Sequence, residues 1–195
     1  MDPIKERRSI RKYSSKTVDK KLIGEILGAA VLAPSAKNRQ PWKFIVYSGS
    51  SKDELLAKME TGLTKTREEL AHLPDSEYML SDAFNTLRIM REAPVIIMVL
   101  NTNGSSPFMD IGTFARITEI CDSLSIGAAI ENMLLKATEL GIGTLWIANT
   151  SYAYNELVDH IGTTAQLIGA VALGYADEAP AARPRKDFGD VVEYR

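Results

Sequence analysis

The chain has 195 residues, 45% of them hydrophobic and 25% charged, with a formal net charge of -2. That suits a single soluble domain with room for a sizeable core and argues against disorder. It also removes any global attraction to nucleic acid or an anionic membrane, so an anion site has to be built locally.

The stretch before Arg8 has no apolar core, so no secretory signal is expected there. Residues 19–32 predict an amphipathic helix. Asp19 can cap it, Leu22, Ile23, Ile26, Leu27, Ala30 and Val31 share a face, and Pro34 stops it. Residues 43–47 read as a strand, and Ser51 with Glu54 has the spacing of a capping box for the next helix. Residues 60–92 are polar and weakly patterned, which predicts solvent-exposed helices and loops and suits a lid. The β-prone run Val95–Leu100 is expected to be a strand buried on both faces.

Residues 122–140 predict the strongest helix, with Ile126, Ala129, Ile130, Met133, Leu134, Ala137 and Leu140 on one stripe and Gly141 ending it. Short strands follow at 144–148 and 167–173. Residues 176–195, with Pro180 and Pro184, predict an extended tail whose end is made sticky by Val191, Val192 and Tyr194. Helices and strands do not alternate as a βαβ series. The expectation is one α+β domain over 1–195, with a mixed or antiparallel sheet flanked by helices. The long helix needs more apolar cover than one small domain gives, which points to a subunit interface.

Conventional catalytic side chains are scarce. His72 and His160 are the only histidines, and both suit surface positions. No HExxH, GxSxG or P-loop is present. The lone Cys121 excludes an internal disulfide and a cysteine-based zinc ribbon, and fits a reducing, cytoplasmic setting. Any chemistry is therefore expected from a cofactor. No side chain is assigned a catalytic role, and no metal is expected.

Four segments carry binding chemistry. Arg7-Arg8-Ser9-Ile10-Arg11 packs three guanidiniums and a hydroxyl into five residues. If helical, it sets Arg7 and Arg11 on one face. Arginine forks match phosphate oxygens, and each charge-assisted bond contributes about 1.5–3 kcal/mol. Taken alone, the cluster reads rather as a solvated basic surface helix. The loop 33–42, from Ala33 to Trp42, is rich in small and amide side chains that can bond a polyol or a heterocycle edge, and it also suits an ordinary turn. Gly141-Ile142-Gly143-Thr144-Leu145-Trp146-Ile147-Ala148-Asn149 lets backbone approach something flat, or is a helix cap leading into a strand. Arg183-Pro184-Arg185-Lys186 alone is a flexible basic patch.

In this order the four segments, with the helix that begins at Asp122, resemble the nitroreductase family of flavoenzymes over nearly the whole chain. The resemblance implies an interlocked α+β homodimer with FMN at its interface and NAD(P)H as reductant. Arg7, Arg8, Ser9 and Arg11 match the segment that holds the phosphate and the polar flavin edge. Arg185 matches a tail arginine reaching phosphate, with Arg183 or Lys186 as helpers. Pro34, Ser35, Ala36 and Asn38 match the loop contributed by the other subunit, and Gln40 is expected to touch the same flavin site. Trp146, Ile147 and Ala148 match the strand lining the flavin ring. The implied activity is ping-pong reduction of nitroaromatics, quinones or similar electron-poor acceptors. An enone or specialised metabolite as acceptor, and non-catalytic FMN storage, are the alternatives. Two departures bear on the pocket: Ala148-Asn149-Thr150 stands where relatives are often glycine-rich, and residues 60–92 lack the lid motif of the dehalogenating members.

Overall fold

The computed structural model describes residues 2–195. Asp2 caps a single turn, α1 (Pro3–Glu6), and Arg7 already leaves the helical region. The arginine segment is therefore not helical. Instead it runs beside the sheet, with β-bridges from Ser9 to Thr144 and from Tyr13 to Ala176. Asp19 accepts the Lys21 N–H at 2.8 Å and starts α2 (Lys20–Ala30), as its position predicts. Strand β1 (Trp42–Ser48) leads directly into α3 (Gly49–Leu70). The capping box does not form, because that helix begins before it. Ser51 lies inside the first turn and donates to the Ser48 carbonyl at 2.9 Å.

Residues 60–92 correct the expectation of an exposed segment. They complete α3 and form α4 (Ser76–Glu92). Leu80, Ala83, Leu87 and Met90 are buried, at spacings of three and four that put them on one narrow stripe. The stripe is thin against a polar background, which is why the segment reads as solvated. Lys52 completes the packing: its ammonium donates to the Arg91 and Ala93 carbonyls at the end of α4, at 2.9 and 2.8 Å.

Strand β2 (Val95–Asn101) is buried along its whole length. The helix expected at 122–140 is α5 (Thr113–Glu139), which starts earlier than its apolar stripe. Gly141, at φ +72°, ends it by adopting the left-handed conformation that glycine enters without strain. Strand β3 (Gly143–Ile147), α6 (Tyr154–Ile161) and β4 (Gln166–Gly174) follow. The tail carries one short turn, α7 (Phe188–Val191).

The sheet order is β1-β2-β4-β3, and every pair is antiparallel. Strand β2 serves two cores by simple alternation. Ile96, Met98 and Leu100 join α3, α4 and α6 on one face. Val95, Ile97 and Val99 meet α2 and α5 on the other. No helix among the described residues is long and apolar enough to cross a membrane.

Candidate functional site

The N-terminal segment is seated on the edge strand β3. The Ile10 N–H donates to the Thr144 carbonyl at 2.9 Å, and the Ile10 side chain enters the core. Gly143 permits this closeness, since a Cβ there would meet the Ile10 side chain at 2.9 Å. With Ile10 turned inward, Arg7, Arg8, Ser9 and Arg11 line one small cavity of about 120 Å³.

The tail forms the other wall of that cavity. It pairs back on the N-terminal segment: Ser14 N–H donates to the Tyr175 carbonyl at 2.9 Å, and Asp177 N–H to the Lys12 carbonyl at 3.0 Å. Arg183 and Arg185 thereby join the three N-terminal arginines around the cavity. Lys186 does not line it. Among the described residues, Arg7 alone of the five has a side-chain carboxylate partner, Glu131 at 3.6 Å. Arg8, Arg11 and Arg185 donate to backbone carbonyls of their own segments. Five guanidiniums converging on one space repel one another unless a multivalent anion sits between them, and a phosphate dianion matches that donor set.

Arg11 also lines a second cavity, of about 180 Å³, with Trp146, Ile147 and Ala148. It is thus shared between the arginine-ringed space and a space bordered by the end of β3. Helix α4 closes the far side with Asp82, Asn85 and Thr86. Asn149 ties that helix to the strand, donating to Asp82 at 2.9 Å and to Thr86 at 3.0 Å. These α4 residues and Asn149 have no place in a motif-based reading, because they lie in the polar 60–92 segment and at the departure from the glycine-rich pattern. The thin stripe at 80, 83, 87 and 90 could have oriented α4, and with it the polar face that includes Asp82 and Asn85. Trp146 keeps 44% of its surface exposed on the edge strand.

The loop with Pro34, Ser35, Ala36, Asn38 and Gln40 lines neither cavity within one chain. It lies against the middle of α5. Ala36 N–H donates to Ser125 Oγ at 3.1 Å, and the Arg39 guanidinium pairs with Asp122 at 2.7 Å. Lys37, Asn38 and Gln40 all have positive φ, near +50°, a conformation that strains residues with side chains. The strain is held by local bonds, Gln40 N–H to Ser35 Oγ at 3.0 Å and Gln40 Nε2 to Asn38 Oδ1 at 3.1 Å.

The chain is similar in sequence and fold to known proteins. A family model described as the nitroreductase family matches residues 4–175. An Archaeoglobus fulgidus protein, provisionally named an NADH dehydrogenase/NAD(P)H nitroreductase, is 32% identical over 187 residues, covering 93% of this chain and 84% of its own. A BluB-like flavoprotein from Clostridium difficile 630 superposes with a TM-score of 0.82 at 25% identity, over 100% of this chain and 97% of its own. A protein from Desulfovibrio desulfuricans, provisionally called a nitroreductase and solved in complex with FMN, superposes at a TM-score of 0.69 with 25% identity, over 99% and 94%.

Proposed function

This chain belongs to the nitroreductase family, and on that premise we propose that it is an FMN-dependent oxidoreductase that takes reducing equivalents from NADH or NADPH and passes them to an electron-poor acceptor. The observation that carries this is the pair of cavities joined at Arg11, one ringed by guanidiniums and one bordered by Trp146, Ile147 and Ala148. Phosphate suits the first and a flat ring suits the second. FMN, when bound, supplies hydride acceptance and release at its N5 atom, which lets nicotinamide and acceptor use one site in turn.

The residues then divide by task. Arg7, Arg8, Ser9, Arg183 and Arg185 bind the phosphate end. Arg11 spans both spaces, and its fixed positive charge favours electron density building up on a bound ring. Trp146, Ile147 and Ala148 give the ring an apolar floor. Asn149, by holding α4 to the end of β3, sets the width of the pocket.

We further propose a homodimer whose loop 34–40 completes the site of the other subunit. Two features support it. That loop is strained and well held, yet lines neither cavity of its own chain. The first half of α5 also presents apolar side chains outward, with Phe114 85% and Leu124 71% exposed, while Glu119, Asp122 and Ser125 face inward. Such an inverted helix calls for an apolar partner.

Anaerobic oxidation of NADH or NADPH by the flavin-loaded protein, with a quinone or a nitroarene as acceptor, tests the reading. Turnover is expected in the parent chain, with a loss of at least about ten-fold in Arg11→Ala, the size of one charged hydrogen bond. An Arg11→Ala variant with unchanged turnover and FMN affinity would refute the role given to Arg11. A flavin-loaded chain without turnover would favour a storage role.

A further inference from the structure

We propose that Glu178 is the positioning residue of the phosphate clamp, mooring the tail so that Arg183 and Arg185 face Arg7, Arg8 and Arg11. This rests on the FMN assignment above and adds a residue to it that no motif marks.

The tail's backbone pairing to the body ends at Asp177. Among the described residues, one hydrogen bond further along still ties the tail to the body, and it is made by Glu178. Its Oε1 accepts the backbone N–H of Arg11. Beyond that point the tail's hydrogen bonds are internal. Glu178 therefore sets the direction in which the tail leaves the sheet. The segment that follows is Glu178-Ala179-Pro180-Ala181-Ala182-Arg183-Pro184-Arg185. Its two prolines stiffen it, so a direction set at Glu178 carries through to the arginines. Pro180 already borders the arginine cavity, while Glu178 borders a neighbouring one with Arg8 and Ile10.

A carboxylate beside five arginines would ordinarily pair with a guanidinium and compete with the bound anion. Among the described residues Glu178 makes no such ion pair, and its described hydrogen bond is to a main-chain donor. The Arg11 guanidinium, bonded only to the Ser9 carbonyl among the described residues, still lines the cavity. Charge and position therefore predict opposite signs. If Glu178 mattered only as a negative charge, its removal would tighten phosphate binding. If it moors the tail, its removal weakens phosphate binding.

The test is titration of the full-length, flavin-free chain with FMN and with riboflavin, which lacks the phosphate. The parent is expected to prefer FMN. Glu178→Ala should lower FMN affinity by about ten-fold, one hydrogen bond to a charged group, and leave riboflavin affinity unchanged. Glu178→Gln keeps an acceptor oxygen and should stay near the parent. In an Arg183→Ala/Arg185→Ala background, Glu178→Ala should have no further effect on FMN, because the groups it positions are gone. Tighter or unchanged FMN binding in Glu178→Ala overturns the proposal. So does an equal loss for both flavins, or full additivity with the arginine changes. A parent that does not distinguish FMN from riboflavin overturns the phosphate clamp itself, and is told apart from the other outcomes without any variant.

Discussion

Tyr13 shows how a single side chain links the N-terminal segment to the sheet. Its hydroxyl donates to the Ile10 carbonyl at 2.9 Å, and its ring is buried between the segment and β4. Burial, with the Glu178 carboxylate adding to it and Arg11 opposing, holds the phenol far above its usual value of 10.0. The unfolded chain ionises there first, so it binds fewer protons than the folded chain as pH passes about 10. Stability from Tyr13 is thus complete below that point and is lost above it. Tyr47, also raised by burial, acts in the same direction. Lys52, lowered from 10.5 by burial, acts in the opposite one. Comparison with Tyr13→Phe separates the effects, since Tyr47 and Lys52 remain. Melting temperatures between pH 8 and about 11 should fall less steeply in Tyr13→Phe than in the parent. Equal slopes would show that Tyr13 ionises in the folded chain as it does in the unfolded one, and would contradict the shift.

Helix α5 and the loop that leans on it carry the most instructive difference between sequence and structure. The apolar stripe from Ile126 to Ala137 is legible because single-chain burial wrote it. The part of α5 before residue 122 is not, because there Phe114, Ile117 and Ile120 face outward and the buried position, Glu119, is polar. The same inversion reaches into the legible part at Asp122 and Ser125. Asp122, 1% exposed on its side chain, takes the Arg39 guanidinium and lies 3.4 Å from Asn103 Nδ2. Glu119, Gln166 and Asn101 form a second buried chain of hydrogen bonds beside it. Hydropathy cannot read such a network, whose members look like surface residues until their partners are known. The same limit hid α4, whose polar side chains border the second cavity. The four candidate segments stand out in the sequence by residue type and order, but which of them meet within one chain does not. Arg39→Ala leaves Asp122 buried without its counter-charge. We expect a loss of about 3 kcal/mol in urea unfolding, the cost of breaking a buried pair. A change below about 0.5 kcal/mol, the size of a typical surface substitution, would mean the pair does not hold the loop.

At the scale of the molecule, the antiparallel sheet holds the two ends of the chain side by side, and that gives one cavity arginines from both. One chain supplies the arginine-ringed cavity and the space beside the end of β3, but leaves the strained loop 34–40 and the outward face of α5 without a task. The two-fold dimer proposed above would give both a role. Phe188, Val191 and Tyr194 of the tail are exposed and belong to neither core of their own chain. The most direct test of the whole assignment is sedimentation velocity on the purified, FMN-loaded protein, followed at once by protein absorbance and by visible flavin absorbance. One boundary at twice the chain mass, carrying one flavin per chain, is expected. A colourless boundary after FMN loading, or flavin sedimenting with a monomer, would contradict it.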